Sequence, residues 1–285
     1  MKRRKIGYIL LLPSLLFLLV IIIYPLVYSL YLSFTDFTFG KPFTFFVGLG
    51  NYQDIFHDEY FFNSLTVTAK FTFLTVSTEF ILGLGVALLL TRRFKGRTFI
   101  RTTMLAPMMI TPVVVGIIWR LLFQPDFTIL NYILSIFKIP GPLWLQEHNW
   151  ALISVAIADI WQWTPFFILI LTSGLVSLPQ EPIEAAWVDG ASRSQTFWYI
   201  SLPLLKPLIS VALLLRIIDS FRTYDLVYVM TYGGPGTATE LLSYRIWKEG
   251  FVFQRLGYAA AMSYIMVFVL TILSLILIRS IRRRI

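Results

Sequence analysis

Six long apolar stretches, separated by more polar connectors, leave this chain few folds to choose from. They lie at roughly 7–33, 65–91, 98–123, 150–174, 205–230 and 258–280, and each reaches the ~20 residues that carry a helix across a bilayer's hydrocarbon. Of the 285 residues 57% are hydrophobic and only 14% charged, more apolar surface than a soluble domain of this size can hide. The pattern predicts an all-α integral membrane protein with six transmembrane helices. Its first run follows Lys2, Arg3, Arg4 and Lys5 as a signal peptide would. That run is too long, however, and no small-residue cleavage site precedes Tyr28 and Tyr31, which predicts a retained helix kinked at Pro13 and Pro25.

Orientation follows from where the basic residues fall. Lys2 to Lys5, Arg92, Arg93, Lys95, Arg97, Arg101, Arg193, Lys206, Arg279 and Arg282 to Arg284 flank one set of connectors. The other connectors, at 34–64, 124–149 and 231–257, hold only Lys41, Lys138, Arg245, Lys248 and Arg255. This asymmetry predicts cytoplasmic termini and a cytoplasmic loop around residue 190. It also reads the net charge of +9 as membrane topology, with no nucleic-acid partner. The absence of cysteine excludes disulfides and thiolate metal sites.

The long polar loop at 184–203 is punctuated for two short helices. Gly190 ends the first, after Glu184 to Asp189, and Ser192 with Gln195 forms a capping-box start for the second. Leu202-Pro203 is expected to redirect the chain. Such a loop is either a docking surface or an ordinary connector. Its residues Glu184-Ala185-Ala186, Asp189-Gly190-Ala191, Phe197, Ile200 and Leu202-Pro203 resemble the EAA loop of bacterial and archaeal ABC-importer permeases. That resemblance implies a type I ABC importer transmembrane domain in the cytoplasmic (inner) membrane of a bacterium or archaeon. It makes 176–206 a coupling loop, with Glu184, Ala185, Ala186, Asp189, Gly190 and Ala191 meeting a cytoplasmic ATPase. It further implies a heterodimer with a second homologous permease, two ATPase subunits that bind ATP and Mg, and an extracytoplasmic solute-binding protein. No cofactor is then bound by this chain.

The outer loops narrow the resemblance. Gly48-Leu49-Gly50-Asn51-Tyr52 and Thr231-Tyr232-Gly233-Gly234-Pro235-Gly236 are similar to the carbohydrate-uptake branch, in particular the first permease of the maltose and glycerol-3-phosphate importers. The maltose member's extra amino-terminal spans and large inserted outer domain are not found here. By this resemblance Asn51, Tyr52, Gly233, Gly234, Pro235 and Gly236 contact the binding protein. The organisation expected is 1–64 for the first helix and outer loop, 65–280 for a five-helix core, and 281–285 for a basic tail.

Half of a ~30 Å hydrocarbon core is about ten helical residues, and counting inward from the 184–203 loop reaches polar clusters in the fourth and fifth spans. Arg216, Asp219, Arg222 and Asp225 alternate in sign at a spacing of three. They pair along one helix face, or with Asp159 or Glu79, as structural glue; or they line a translocation path. Asp159 and Trp163 share a face with Gln162 beside them, a combination suited to sugar rings and hydroxyls. The resemblance also implies a sugar site between the spans that flank the EAA loop. The expected substrate path is therefore Asp159, Gln162, Trp163, Phe166, Arg216, Asp219, Ser220 and Thr223.

Enzyme signatures are missing from the sequence. It has no phosphate loop, its two histidines, His57 and His148, lack metal-ligand spacing, and no nucleophile–base motif accompanies the intramembrane carboxylates, so no catalytic and no metal residues are expected. Two alternatives remain: an ion-coupled secondary transporter using Asp159, Asp219 and Asp225, or an ABC permease for a non-sugar solute.

Overall fold

A computed structural model of the chain describes residues 11–92, 94–124 and 129–282, with side chains described as far as residue 279. Lys2 to Lys5, Arg93 and residues 283–285 of the basic tail lie outside the described residues, as does the side chain of Arg282. The described chain is almost wholly helical. In order it runs α1 (Leu11–Ser33), α2 (Gly50–Phe56), α3 (Glu59–Thr91), α4 (Arg97–Leu105), α5 (Pro112–Leu122), α6 (Ile129–Ile136), α7 (His148–Val176), α8 (Glu181–Val188), α9 (Arg193–Phe221), α10 (Asp225–Met230), α11 (Leu242–Trp247) and α12 (Leu256–Arg282). Helices α1, α3, α7, α9 and α12 are each long and apolar enough to cross a membrane.

The third span departs from the straight helix expected at 98–123. It is split into Arg97–Met109 and Pro112–Leu122, which meet at a bend of 96°. Two prolines explain the break. Pro107 opens a 3₁₀ turn, and Pro112 forces Thr111 out of the helical region (φ −65°, ψ 141°), because proline's ring crowds the residue before it.

The fifth span is also corrected. It occupies 193–221, not 205–230, and Leu202-Pro203 does not redirect the chain. A π turn at Phe197–Ser201, closed by the Leu202 N–H on the Phe197 carbonyl, adds the slack that lets the helix run on through Pro203. A second π turn at Leu19–Ile23 precedes Pro25, where a kink is expected. The helix then stops at Phe221, so Arg222 to Tyr224 form a connector and Asp225 starts α10.

The chain forms two compact units, residues up to 61 with 245–269, and residues 62–244 with those from 270 onward. The first unit differs from the 1–64 segment expected because its partners come from the far end of the sequence. Phe39 N donates to Gln254 O (2.9 Å), Gly257 N to Phe37 O (2.9 Å) and Tyr264 Oη to Leu26 O (2.5 Å). Gly257 permits this approach, since a Cβ there would lie 2.1 Å from Thr35 O. Nearby Glu249 is fully buried and held by Arg245 at 2.6 Å and by Arg255. Asn51 locks the end of α1, its Nδ2 donating to Ser33 O (2.9 Å) and Thr35 O (2.8 Å).

In the second unit the core joins Val76 and Ala87 of α3, Phe167 and Leu171 of α7, and Leu205, Ile209 and Ala212 of α9. Small residues set how closely these helices pack. A Cβ on Gly83 would sit 2.4 Å from Phe167 Cβ, and one on Gly174 would sit 2.2 Å from Leu208 Cδ2. Gly116 does the same for α5 and α10, where a Cβ would come within 3.1 Å of Val229 Cβ. α3, α7 and α9 are thereby brought together around the polar centre described next.

Candidate functional site

Three helices of the second unit each send one ionisable side chain to a common point. Arg216 of α9 donates through Nε to Glu79 Oε2 of α3 (2.7 Å) and through Nη2 to Glu79 Oε1 (2.8 Å). The same Nη2 meets Asp159 Oδ2 of α7, and Nη1 reaches Asp219 Oδ2 one turn along α9 (3.2 Å). Arg216, Glu79 and Asp159 are 2%, 0% and 1% exposed. A charge buried so deeply in an apolar helix persists only with partners, and the planar guanidinium fork satisfies two carboxylates at once. The Trp163 ring lies 5.3 Å beneath the guanidinium and closes its remaining face.

A cavity of about 180 Å³ opens beside this clasp. Asp159, Gln162 and Trp163 line it from α7, Asp219 from α9, Arg222, Thr223 and Tyr224 from the connector, and Asp225 from the start of α10. Asp219 is the exposed member of the charged group, with 45% of its side chain accessible. Gln162 Nε2 donates to Ile110 O (2.8 Å), satisfying a carbonyl freed by the break between α4 and α5. Asp159 Oδ1 and Gln162 Oε1 are buried acceptors with no protein partner. Within this cavity the chemistry on offer is acceptor oxygens, one uncommitted guanidinium from Arg222 and aromatic surface.

Five of the eight expected path residues, Asp159, Gln162, Trp163, Asp219 and Thr223, line the cavity. Arg216 stands behind it in the clasp. Ser220 is fully buried against α3, donating to Thr72 Oγ1 (3.0 Å), and Phe166 packs against the apolar core, edge-on to Phe167. Of the pairing weighed along 216, 219, 222 and 225, the Arg216–Asp219 rung forms and goes no further along α9, because the helix ends between the second and third residues of the series. Among the described residues Arg222 makes no ion pair. Sequence reasoning named Glu79 only as a possible partner; it weighed Arg222 and Asp225 as path lining without carrying them into the expected set, and it left out Tyr224.

At the loop, the capping box forms as its spacing predicts: Ser192 N donates to Gln195 Oε1 (2.8 Å) and Gln195 N to Ser192 Oγ (3.3 Å). Gly190 holds φ +82°, a left-handed turn that ends α8 while the Ala191 N–H caps Ala186 O (2.9 Å). Glu184, Ala185, Asp189 and Gly190 are exposed, Ala191 is half-buried, and Ala186 is buried. An open depression lined by Asp189, Gly190, Ala191 and Tyr199 adjoins the exposed Trp187, Val188 and Trp198. Of the loop residues expected to meet a binding protein, Asn51 is buried in the clamp at the end of α1, and Tyr52 Oη pairs with Ser33 Oγ (2.8 Å). Gly233 (φ +82°) is buried, Gly234 and Pro235 are half-buried, and Gly236 (φ +59°) is exposed.

Residues 79–285 match the family described as the binding-protein-dependent transport system inner membrane component. The chain belongs to this family. The match takes in both the cavity and the loop. The trehalose/maltose transport system permease protein MalF of Thermococcus litoralis is 42% identical over 85% of this chain and 82% of its own length. The sn-glycerol-3-phosphate transport system permease protein UgpA of Agrobacterium fabrum is 33% identical over 98% and 96%. A chain from the crystal structure of a bacterial ABC transporter for the acidic polysaccharide alginate superposes with a TM-score of 0.85 at 23% identity, covering 99% of this chain and 96% of that one. The fold is thus that of an ABC importer transmembrane subunit, and this permease is a multi-pass membrane protein whose relatives are transport subunits, not enzymes.

Proposed function

We propose that the chain is one of two permease subunits of an ATP-driven importer for a sugar or related polyol, in the cytoplasmic membrane of a bacterium or archaeon. The observation that carries this reading is the family match across 79–285, which unites a polar intramembrane cavity with an exposed loop on one continuous helix. Relatives named for trehalose/maltose and glycerol-3-phosphate transport support a polyhydroxy solute. The cavity suits hydroxyl groups, because Asp159 and Gln162 put polar side chains on its wall and Trp163 offers a ring face. Asp219 and Thr223 extend that polar lining.

In this mechanism a binding protein delivers solute to the outer loops around Tyr52 and Gly234–Gly236. Partner ATPase subunits, which bind ATP and Mg, close on the loop at 184–203. Glu184 offers a carboxylate to a basic residue of the ATPase, and Gly190 keeps the backbone bare for close approach. Trp187, Val188, Trp198 and Tyr199 give the apolar surface such an interface would bury. Because α9 runs unbroken from Arg193 to Phe221, a push at the loop travels along it to the Arg216 clasp. Glu79 and Asp159 then carry α3 and α7 with α9 as one body, and the cavity is presented to alternate sides. The second permease supplies the other half of the pathway.

The test is purification in mild detergent from native membranes. A second permease and an ATPase should co-elute, with ATP turnover stimulated by a sugar-loaded binding protein. A lone chain with no ATPase, even after crosslinking at Glu184, would refute the proposal.

A further inference from the structure

The first unit displays a feature that solute transport does not use. Immediately after α1 the chain makes a small hairpin, joined by the antiparallel bridge of Thr35 with Phe46. Its turn carries Phe39, Phe43, Phe45 and Phe46, which are 65%, 71%, 64% and 71% exposed. Lys41 stands exposed among them at the tip, beside Gly40 (φ +87°). Four ordered phenylalanines in water would be a liability, and no described residue of this unit covers them.

Part of the backbone beneath those rings is paired. Asp36 N donates to Phe45 O (3.0 Å), Phe45 N to Asp36 Oδ1 (2.6 Å), Val47 N to Phe34 O (2.8 Å), Lys41 N to Thr38 O (3.2 Å) and Phe39 N to Gln254 O (2.9 Å). An irregular segment whose N–H groups are paired internally tolerates a layer poor in water, and an open loop does not. Position supplies the rest of the argument. The bridge begins two residues beyond Ser33, the end of a helix apolar enough to span the membrane and exposed along nearly its whole length. Segments lying in the interface bury apolar side chains, phenylalanine among them, at the boundary of headgroups and acyl chains, and a lysine beside them meets lipid phosphates.

We propose that the Phe39–Phe46 hairpin is a membrane anchor that lies in the interfacial layer of the bilayer, its phenylalanine rings against the upper acyl chains and Lys41 at the phosphates. The occupant of this surface is lipid, continuous with the lipid around α1. The anchor fixes the depth and tilt of α1.

The sequence contains no cysteine, so a single introduced thiol is labelled cleanly. Phe43→Cys, Phe45→Cys and, as a water-facing control, Asp54→Cys are spin-labelled in the full chain, co-expressed with cysteine-free partner subunits. The assembled transporter is placed in nanodiscs of phosphatidylcholine and phosphatidylglycerol. Power saturation then compares collision with oxygen, which concentrates in lipid, and with a water-soluble nickel chelate. Labels at 43 and 45 should favour oxygen, and the label at 54 should favour nickel. Nickel accessibility at 43 and 45 equal to that at 54 would overturn the proposal. So would labels shielded from both reagents, which would mean that a protein partner covers the hairpin.

Discussion

Replacing Arg216 separates a structural clasp from a solute ligand. The guanidinium makes two hydrogen bonds to Glu79 and one each to Asp159 and Asp219. Arg216→Met keeps much of the apolar stem but strands two carboxylates that are 0% and 1% exposed. Breaking a buried pair in this way costs about 3–5 kcal/mol, because the orphaned charge is left without water or partner. At roughly 1.4 kcal/mol per decade that is a two- to nearly four-decade fall in the folded-to-unfolded ratio. The exposed arm to Asp219 adds little, since solvent screens it. The triple variant Arg216→Met, Glu79→Gln, Asp159→Asn removes the charges together, and such neutral replacements often cost nothing or stabilise. Yield of monodisperse protein and melting temperature in detergent should collapse for Arg216→Met and recover for the triple variant. An Arg216→Met protein that melts with the wild type would refute the clasp, and with it the argument that α3, α7 and α9 move as one body.

Four further substitutions sample the rest of the site. Asp219→Ala should reduce solute uptake while melting temperature and ATPase docking stay within error, because its carboxylate is largely exposed; a loss of assembly would make it structural. Gly190→Ala strains a φ of +82° by roughly 1 kcal/mol without a clash, as no atom lies within 4 Å of the added Cβ. Binding-protein-stimulated ATP turnover should fall more than protein stability does. Gly190→Asp should abolish that turnover while leaving membrane insertion intact, and normal turnover would sink the coupling role. Gly83→Leu should lower melting temperature sharply, since even a Cβ would meet Phe167 Cβ at 2.4 Å and overpacking costs about 1–3 kcal/mol or more; an unchanged melt would show that α3 and α7 do not pack this closely.

Much of the architecture was legible because bilayer thickness imposes one length on every span, and an apolar run of that length is hard to mistake. The loop was legible for a different reason: its caps are local, and Ser192, Gln195 and Gly190 act on residues within four positions of themselves. The errors arise where a residue's effect depends on remote partners. Pro107 and Pro112 stand within the run read as one span, but whether two prolines bend a span or merely kink it depends on what can take up the stranded carbonyl. Here that is Gln162, fifty-two residues away. Pro203 looked like a stop and was absorbed by a π turn. The end of α9 had no local signal, since Phe221-Arg222-Thr223 contains neither glycine nor proline; the Ser243 hydroxyl, bonded to Thr223 O at 2.5 Å, holds the connector there. Glu79, Asp159 and Arg216 were each visible as costly charges. Choosing Arg216's partners required the relative rotation of three helices, which periodicity does not encode.

Gln162 shows how a residue picked as a solute ligand also bears on structure, and its two ends can be tested apart. The amide nitrogen is committed to Ile110 O at 2.8 Å, at the corner of the bent span. The amide oxygen is buried without a protein partner on a residue that lines the cavity. Gln162→Met removes both ends and leaves the Ile110 carbonyl unsatisfied, at a cost of about 1–3 kcal/mol. Gln162→Glu, when ionised, also loses the donor but keeps acceptor oxygens on the same stem. The two variants should therefore melt below the wild type, whereas uptake should fall further for methionine than for glutamate. A Gln162→Met protein with unchanged melting temperature would mean that the corner needs no such support. Equal uptake by both variants would mean that the free oxygen does not meet the solute, leaving Asp159, Asp219 and Thr223 as the polar lining to examine.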